Sequence, residues 1–438
     1  MLRPASRLAA IALVLAGIAA AASPVHHRLG GMAWLALITV WAGLALAAAR
    51  IGPRVRPCTA LVIVLLGAAA MRLPLLLGPP YLSSDIFRYV WDGRVQAAGI
   101  NPFKHVPAAD ALAFLRDKAI YPHINRAKYA PTIYPAGAQM IFLAITRLGE
   151  SVLVMKLGLL AFEALAIGCL IGILRALDKP VTNLAAYAWH PLPVWEIAGN
   201  GHVDAAMLGV MLAGLLLYLR GKALPAALVA SFAAFVKPTA LLAMPVLWRT
   251  WNWRLPVTLV CVGVLLYLPY LSAGWGVLGF LPQYLVEEEL SSGGGLRYLG
   301  LLQRLTGPIP DGTTIYLLAA GAVLAVLALR IGFRTNRSAR ESVRCLGVLL
   351  IAFMVLLTPH YPWYYLALVP LLALGGWVTP WVLTTGGFLL YDVIPGDRMP
   401  PFAVREAVLH LTALAAFAYD YRHSRSITAM VPAGDLPR

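Results

Sequence analysis

Acidic side chains are scarce in this chain. Nineteen Asp and Glu stand against 35 Lys and Arg in 438 residues, and charged residues of both signs make up 12% of the total. A soluble globular domain carries roughly 25% charged residues, so too little charge is present to cover a water-facing surface. The deficit excludes a soluble enzyme: 60% of the residues are hydrophobic, the mean hydropathy is +0.76, and water does not tolerate that much exposed apolar area. Cysteine is scarce too. Cys58, Cys169, Cys261 and Cys345 lie in or beside apolar segments without metal-ligand spacing. That excludes a disulfide framework or a zinc cluster and leaves four small hydrophobes. Polar stretches long enough for a soluble domain are missing as well.

What is present is a recurring apolar segment. A spanning helix needs about 20 mostly apolar residues, and candidate spans fall at 8–22, 32–49, 58–77, 151–174, 181–198, 202–219, 255–272, 313–331, 343–358, 363–378, 380–394 and 402–419. The first, preceded by Arg3 and Arg7 and followed by small residues, resembles a signal peptide; cleaved or not, it delivers residue 23 to the outside. The fold class is therefore an all-α polytopic membrane protein. The net charge of +16 does not mark a nucleic-acid partner, because its cations sit in short loops between spans. These loops are Arg50/Arg54/Arg56, Arg175/Lys179, Arg220/Lys222, Arg249/Arg254 and the five arginines from Arg330 to Arg344. The positive-inside rule assigns them all to the cytoplasm, with both termini. Five regions follow: N-terminal helices 1–77, an outer loop 78–150 with interfacial helices, a central bundle 151–272, a second outer loop 273–312, and C-terminal helices with a cytoplasmic tail 313–438.

That topology forces two further expectations. A span at 131–149 would carry Arg175 and Lys179 outside, so this segment reads as an amphipathic helix in the outer interface, anchored by Tyr134 and Arg147. Segment 223–248 has cations at both ends and Lys237-Pro238 in its middle. Proline breaks the helix and restrains the residue before it, so two short helices meet at a tip that holds Lys237 near the outer face. With these two segments the bundle counts about 12–14 helices.

Polar residues then converge on one side. On a helix, Asp85, Arg88 and Asp92 share a face by their three- and four-residue spacing. Two carboxylates and an arginine suit a hydroxyl and a phosphate; an ion-paired interfacial helix explains them equally well. Glu196-Ile197-Ala198-Gly199-Asn200-Gly201-His202-Val203-Asp204 offers a close backbone and, in Asn200, His202 and Asp204, groups for hydrogen bonding and proton transfer. Ionisable residues at a membrane boundary are costly and tend to be functional, against the plainer reading of a polar turn. Thr358-Pro359-His360-Tyr361-Pro362-Trp363-Tyr364-Tyr365 reads as an aromatic belt or a sugar platform. Lys237 either snorkels or meets a lipid phosphate. The acidic and Gly-rich run Glu287-Glu288-Glu289 and Ser291 to Gly295 reads as an ordering loop over substrate or a solvated linker.

Asp85 to Phe103 (with Trp91-Asp92-Gly93-Arg94 and Gly99-Ile100-Asn101-Pro102-Phe103), Asn200-Gly201-His202-Val203-Asp204, Lys237-Pro238-Thr239 and Thr358-Pro359-His360-Tyr361 resemble, in that order, motifs of the polytopic GT-C glycosyltransferases. They look most like bacterial polyprenol-phosphate-mannose-dependent mannosyltransferases and, more distantly, the catalytic subunit of GPI mannosyltransferase I. The resemblance covers roughly residues 75–380. It implies a GT-C-like bundle in a bacterial cytoplasmic membrane. It also implies inverting transfer of a hexose, mannose in the enzymes it looks most like, from a polyprenyl-phosphate donor to a glycan or glycolipid acceptor outside. Membrane lipids would surround the site and hold the donor's tail in grooves between spans. Asp85, the first acid of the loop, is implied as catalytic base. Asp92, Asn200, His202 and Asp204 would orient sugar hydroxyls, Lys237, Arg88 and Arg297 would meet the phosphate, and His360 and Tyr361 would complete substrate binding. Relatives often pair two acids at the loop's start, whereas this chain has Ser83-Ser84-Asp85; no metal or other cofactor is expected, with a divalent metal left open. A transporter or lipid flippase is the alternative. It calls for charges buried mid-span and an inverted repeat; Lys156 and Glu163, seven residues apart on one helical face, are the pair that would serve it.

Overall fold

In this computed structural model, residues 3–24, 31–248, 252–290, 292–334, 337–391 and 399–429 are described. Arg249, Ser291 and the end of the expected 380–394 span lie outside them. Among the described residues every regular element is helical. Among the same described residues, seven helices are long and apolar enough to cross a membrane, or eight if one bent pair counts as a single span. That is fewer than the 12–14 the sequence implied, and glycine and proline account for much of the difference. Expected spans 363–378 and 380–394 break at Pro362, Pro370, Gly375-Gly376 and Pro380 into short pieces such as Val369–Leu374 and Thr379–Gly386. Expected span 181–198 is a succession of turns around Pro191 and Pro193. Its last part, Pro191–Gly199, meets the next helix at 118°.

The long helices are α1 (Pro4–Ala22), α2 (Gly31–Ile51) and α3 (Pro57–Leu77). After α3 the chain forms two short helices, α4 (Asp85–Ala97) and α5 (Ala136–Thr146), and then α6 (Val152–Ala176), α7 (Asp204–Leu219) and α8 (Ala223–Val236). Beyond these lie α9 (Arg254–Tyr267), α10 (Gly312–Gly332), α11 (Ala339–Leu357) and α12 (Phe402–Ala429). α6 packs on α7, and α7 on α8. Small residues permit the close approach that holds helices together where no hydrophobic force acts between them: a Cβ on Gly209 would stand 2.4 Å from the Phe162 carbonyl oxygen. Leu13, Leu66, Leu73, Val260 and Leu318 remain exposed on the outside of the bundle, where acyl chains replace water.

Charges inside the bundle have committed partners. The Lys156 ammonium donates to the carbonyls of Leu75 and Gly78, which α3 leaves open at its C-terminus. Glu163 is gripped by Arg72 in two hydrogen bonds of 2.6 and 2.8 Å. Lys156 and Glu163 thus do not form a pair. The partner overlooked in the sequence is Arg72, a lone cation inside an otherwise apolar helix.

The bundle has two chemically different ends. At one, the Arg340 guanidinium donates to the Leu177 carbonyl, Lys179 to Leu374, and Arg337 to Val246 and Trp248, while Gly52 packs on Thr182. The loops around Arg54, Lys179 and Arg337 therefore gather together. At the other, Asn101 donates to Tyr270 and Ser272, the Phe280 amide to Thr132, and Arg126 pairs with Glu287. Segments 78–131 and 273–312 thus share one end, as the charge pattern implied.

The two forced expectations fare differently in detail. α5, at 11 residues, is about 16 Å long and does not cross a hydrocarbon core of about 30 Å. It packs one face on α4, and Tyr134 turns inward, edge-on to the rings of Tyr89 and Phe142, instead of anchoring at an interface. Segment 223–248 does fold back: α8 stops at Val236, Lys237 is extended, and a 3-10 turn begins at Pro238. Leu224 and Leu247, from its two ends, line the same cavity with Arg254 at the cationic end. Lys237 therefore sits at the tip, at the far end.

Candidate active site

Asp85 is the first residue of α4, at the polar end. Its Oδ1 accepts a 3.0 Å hydrogen bond from the Asn125 side-chain amide, its side chain is 20% exposed, and its Oδ2 lies 4.0 Å from Nδ1 of His202. His202 is sealed at 1% exposure, with its ring stacked on Trp363 at 4.3 Å. Its other nitrogen, Nε2, lies 3.1 Å from Oε2 of fully buried Glu196.

A π-helical turn, Val194–Gly199, shapes this corner. Such turns insert a residue into a helical path and recur at functional sites. Here the turn ends with the Asn200 amide donating to the Trp195 carbonyl, and the Asn200 side chain bridges Glu196 to the backbone amides of Tyr81 and Leu82. Gly201 then takes φ of +69°, and a Cβ there would stand 2.3 Å from Ile86 Cδ1 on α4. Only glycine satisfies both demands. It lets the His202 loop lie directly on the first turn of α4.

Asp204 opens α7 and accepts from Lys237 at 2.7 and 2.9 Å. The Lys237 ammonium lies 4.2 Å from the centre of the Tyr364 ring, and Tyr364 shares a 3.0 Å hydroxyl contact with Tyr284. Arg126 stands over the Tyr284 ring at 5.9 Å and pairs with Glu287. Burial disfavours the Arg126 charge, but the Glu287 carboxylate outweighs it, and the guanidinium is held above its ordinary pKa. Two cations are thus joined through two tyrosines, while Tyr361 stacks on Trp363 at 4.5 Å.

The structure therefore brings together Asp85, His202, Asn200, Asp204, Lys237 and Tyr361. Arg88 and Asp92 stand apart from them. They form a buried ion pair at 2.7 Å; Arg88 also donates to the Ala130 carbonyl, and the other Asp92 oxygen accepts from Gln139. Their side chains are thus engaged with one another, Ala130 and Gln139. Nδ1 of His360 lies 2.8 Å from Oε2 of Glu288, and Arg297 pairs with Glu406 of α12. These two contacts hold Glu288 beside His360 and Arg297 beside α12. Asn125, Arg126, Trp363, Tyr364 and Glu196 are not assigned site roles from sequence; Glu196, inside the motif that carries His202, and Trp363 and Tyr364, inside the aromatic run, have a local signal, and Asn125 and Arg126 have none. Among the described residues no three His, Cys, Asp or Glu side chains group with metal-holding geometry.

Comparison with known proteins narrows the assignment. No solved structure matches the chain significantly. The alpha-(1->6)-mannopyranosyltransferase A of Mycobacterium tuberculosis is 26% identical over 181 residues, 41% of this chain and 35% of that protein. The protein of the same name from Corynebacterium glutamicum is 26% identical over 188 residues, 41% of this chain and 37% of its own. The match spans little more than a third of either relative's length. A family profile described as alpha-(1->6)-mannopyranosyltransferase, N-terminal domain, matches residues 5–253, which include α4, the π turn, Asp204 and Lys237. The chain is a polytopic membrane protein, and it belongs to that alpha-(1->6)-mannopyranosyltransferase family.

Proposed function

We propose that this protein transfers a mannosyl group from a polyprenyl-phosphate-linked donor to a hydroxyl of a glycan or glycolipid acceptor, on the extracytoplasmic side of a bacterial cytoplasmic membrane. The observation that carries this reading is the setting of Asp85. It is a partly open carboxylate at the polar end of the bundle, beside a buried imidazole, with two cations, Lys237 and Arg126, in the surrounding wall. Family membership supplies the sugar. The side follows from the cationic loops, which gather at the opposite end and belong in the cytoplasm.

Asp85 removes the proton from the acceptor hydroxyl as its oxygen attacks C1 of the sugar. The C1–O bond to the lipid phosphate breaks, and the phosphate leaves with the bonding pair toward Lys237 and Arg126, whose fixed charges stabilise it. Backside attack inverts C1. The relatives' name specifies an alpha linkage, and inversion reaches an alpha product from a beta-linked donor. The apolar surfaces between helices keep the polyprenyl tail in the membrane, which explains why such chemistry sits on a bundle. The buried charges that a transporter would need are spent on Arg72–Glu163 and on the α3 carbonyls.

The test is direct. Purified protein in nanodiscs receives beta-linked polyprenyl-phosphate mannose and an oligomannoside acceptor, and the anomeric configuration of any product is read by NMR. An alpha-linked product is expected. No turnover with this donor alongside turnover with a nucleotide sugar would overturn the donor; a beta product would overturn inversion.

A further inference from the structure

Glu196 is the buried group for which transfer by Asp85 alone leaves no role. It is fully buried; among the described residues its Oε1 has no hydrogen-bond partner, while its Oε2 accepts from the Asn200 amide and lies 3.1 Å from Nε2 of His202. Sealing a carboxylate from water costs several kcal/mol unless a cation or good hydrogen bonds compensate it. Among the described residues, His202 is the group in contact with Glu196 that can become a cation. His202 in turn has its remaining nitrogen directed at Asp85, so carboxylate, imidazole and carboxylate follow one another from the interior to the mouth of the site.

We infer that Glu196 and His202 are positioning residues that complete a proton relay behind Asp85. This deepens the proposed transfer and rests on Asp85 being its base. Glu196 holds the proton of neutral His202 on Nε2, so Nδ1 faces Asp85 as an acceptor. Oδ1 of Asp85 is taken by Asn125, which leaves Oδ2 to receive the acceptor's proton, and Oδ2 is also the oxygen that faces Nδ1. As the acceptor O–H bond breaks, the new O–C1 bond forms and the phosphate departs. The proton arrives on Oδ2 and passes to Nδ1. The imidazolium so formed is compensated by Glu196. After product leaves, the proton returns through Asp85, which reaches solvent. The 4.0 Å from Nδ1 to Asp85, and the 3.1 Å approach of Nε2 to Glu196, which lacks hydrogen-bond geometry, must both tighten as the transfer proceeds. The stack on Trp363 keeps water off the ring and confines the proton to this path. Gly201, with no Cβ, lets the loop that carries the ring pack closely on Ile86 of α4.

The purely architectural alternative is that Glu196 only braces the Asn200 turn. Glu196→Gln separates the two, because glutamine keeps the shape and an accepting oxygen for Asn200 and His202 but removes the charge. With full-length protein in nanodiscs, kcat and donor KM are measured for the wild type, Glu196→Gln, His202→Gln and the double variant. A relay predicts that His202→Gln lowers kcat by about 100-fold and Glu196→Gln by about 10-fold, within the span of general-base losses, with donor KM little changed. Residues acting as a unit are non-additive, so the double variant should be no slower than His202→Gln. Wild-type kcat in Glu196→Gln, a raised KM at unchanged kcat, or two losses that multiply in the double variant would each overturn the relay. Glu196→Gln decides alone if His202→Gln is recovered unfolded. A wild type without turnover would instead overturn the transferase reading itself.

Discussion

α4 carries two carboxylates seven residues apart, and their surroundings differ in kind. Asp85 stands at the helix N-terminus with one oxygen held by an amide and the other facing an imidazole across 4.0 Å. Asp92 stands two turns on, enclosed by Arg88 and Gln139, with nothing open to a substrate. The same side chain serves as a reagent in one setting and as a brace in the other. What separates them is which neighbour α4 meets: the polar turn 194–204 at its start, and α5 in its middle. Each Asp92 oxygen already accepts a hydrogen bond inside the protein, whereas Asp85 keeps an oxygen that accepts none among the described residues.

The largest structural effect should come from the brace. Arg88→Met leaves the Asp92 charge buried without its cation, and breaking such a pair typically costs about 3–5 kcal/mol. Thermal unfolding in detergent should show a large drop, while the molecules that remain folded keep turnover within a few fold. A stable but inactive Arg88→Met would erase the contrast between the two carboxylates.

A smaller loss is expected at the contact that seats the polar turn on α4. Gly201→Ala forces an L-residue into φ of +69° and pushes on Ile86; overpacking of this kind costs about 1–3 kcal/mol, and turnover should fall with stability because His202 is the next residue. An Ala variant as stable and active as wild type would show that the turn does not need this register.

The smallest effect belongs to the rim of the first loop, where Asp117 pairs with Arg94 at 2.8 Å. Partial burial raises the Asp117 pKa, but the Arg94 hydrogen bond and the amides of Ile120 and Tyr121 outweigh it and hold it below the ordinary carboxylate value. The stabilisation is therefore present above the unfolded pKa and disappears as pH falls through the lower folded one. Solvent screening limits an exposed pair to about 0.2–1 kcal/mol. Asp117→Asn should lower the melting temperature slightly near neutrality and not at all in strong acid. An equal deficit at both pH values would show that shape, not charge, is lost.

Much of this is legible in the sequence. Composition marks long helices such as Pro57–Leu77 and Val152–Ala176 but not the breaks that divide 181–198 and 363–378; Lys237-Pro238 marks its own break, and the spacing of Asp85, Arg88 and Asp92 puts them on one face. The same spacing could not say which of the three would be buried, because that depends on Ala130 and Gln139 arriving from far along the chain. Nor does any local pattern announce the π turn, or the pairing of His360 with Glu288 and of Arg126 with Glu287, which join residues 72 and 161 positions apart. Arg72 was overlooked for the opposite reason: one cation barely alters the hydropathy of a 21-residue helix, yet it answers the charge of Glu163. Periodicity reports a face; only packing reports who occupies it.

The comparison of the two carboxylates rests finally on turnover per folded molecule for Asp85→Asn and Asp92→Asn, measured in the same nanodiscs with beta-linked polyprenyl-phosphate mannose. Removing a general base typically costs 10²–10⁴-fold in rate, so Asp85→Asn should melt like the wild type and lose about that much, while Asp92→Asn loses stability and keeps its turnover within a few fold. Near-normal turnover by Asp85→Asn beside a well-folded, inactive Asp92→Asn would contradict the account at its centre.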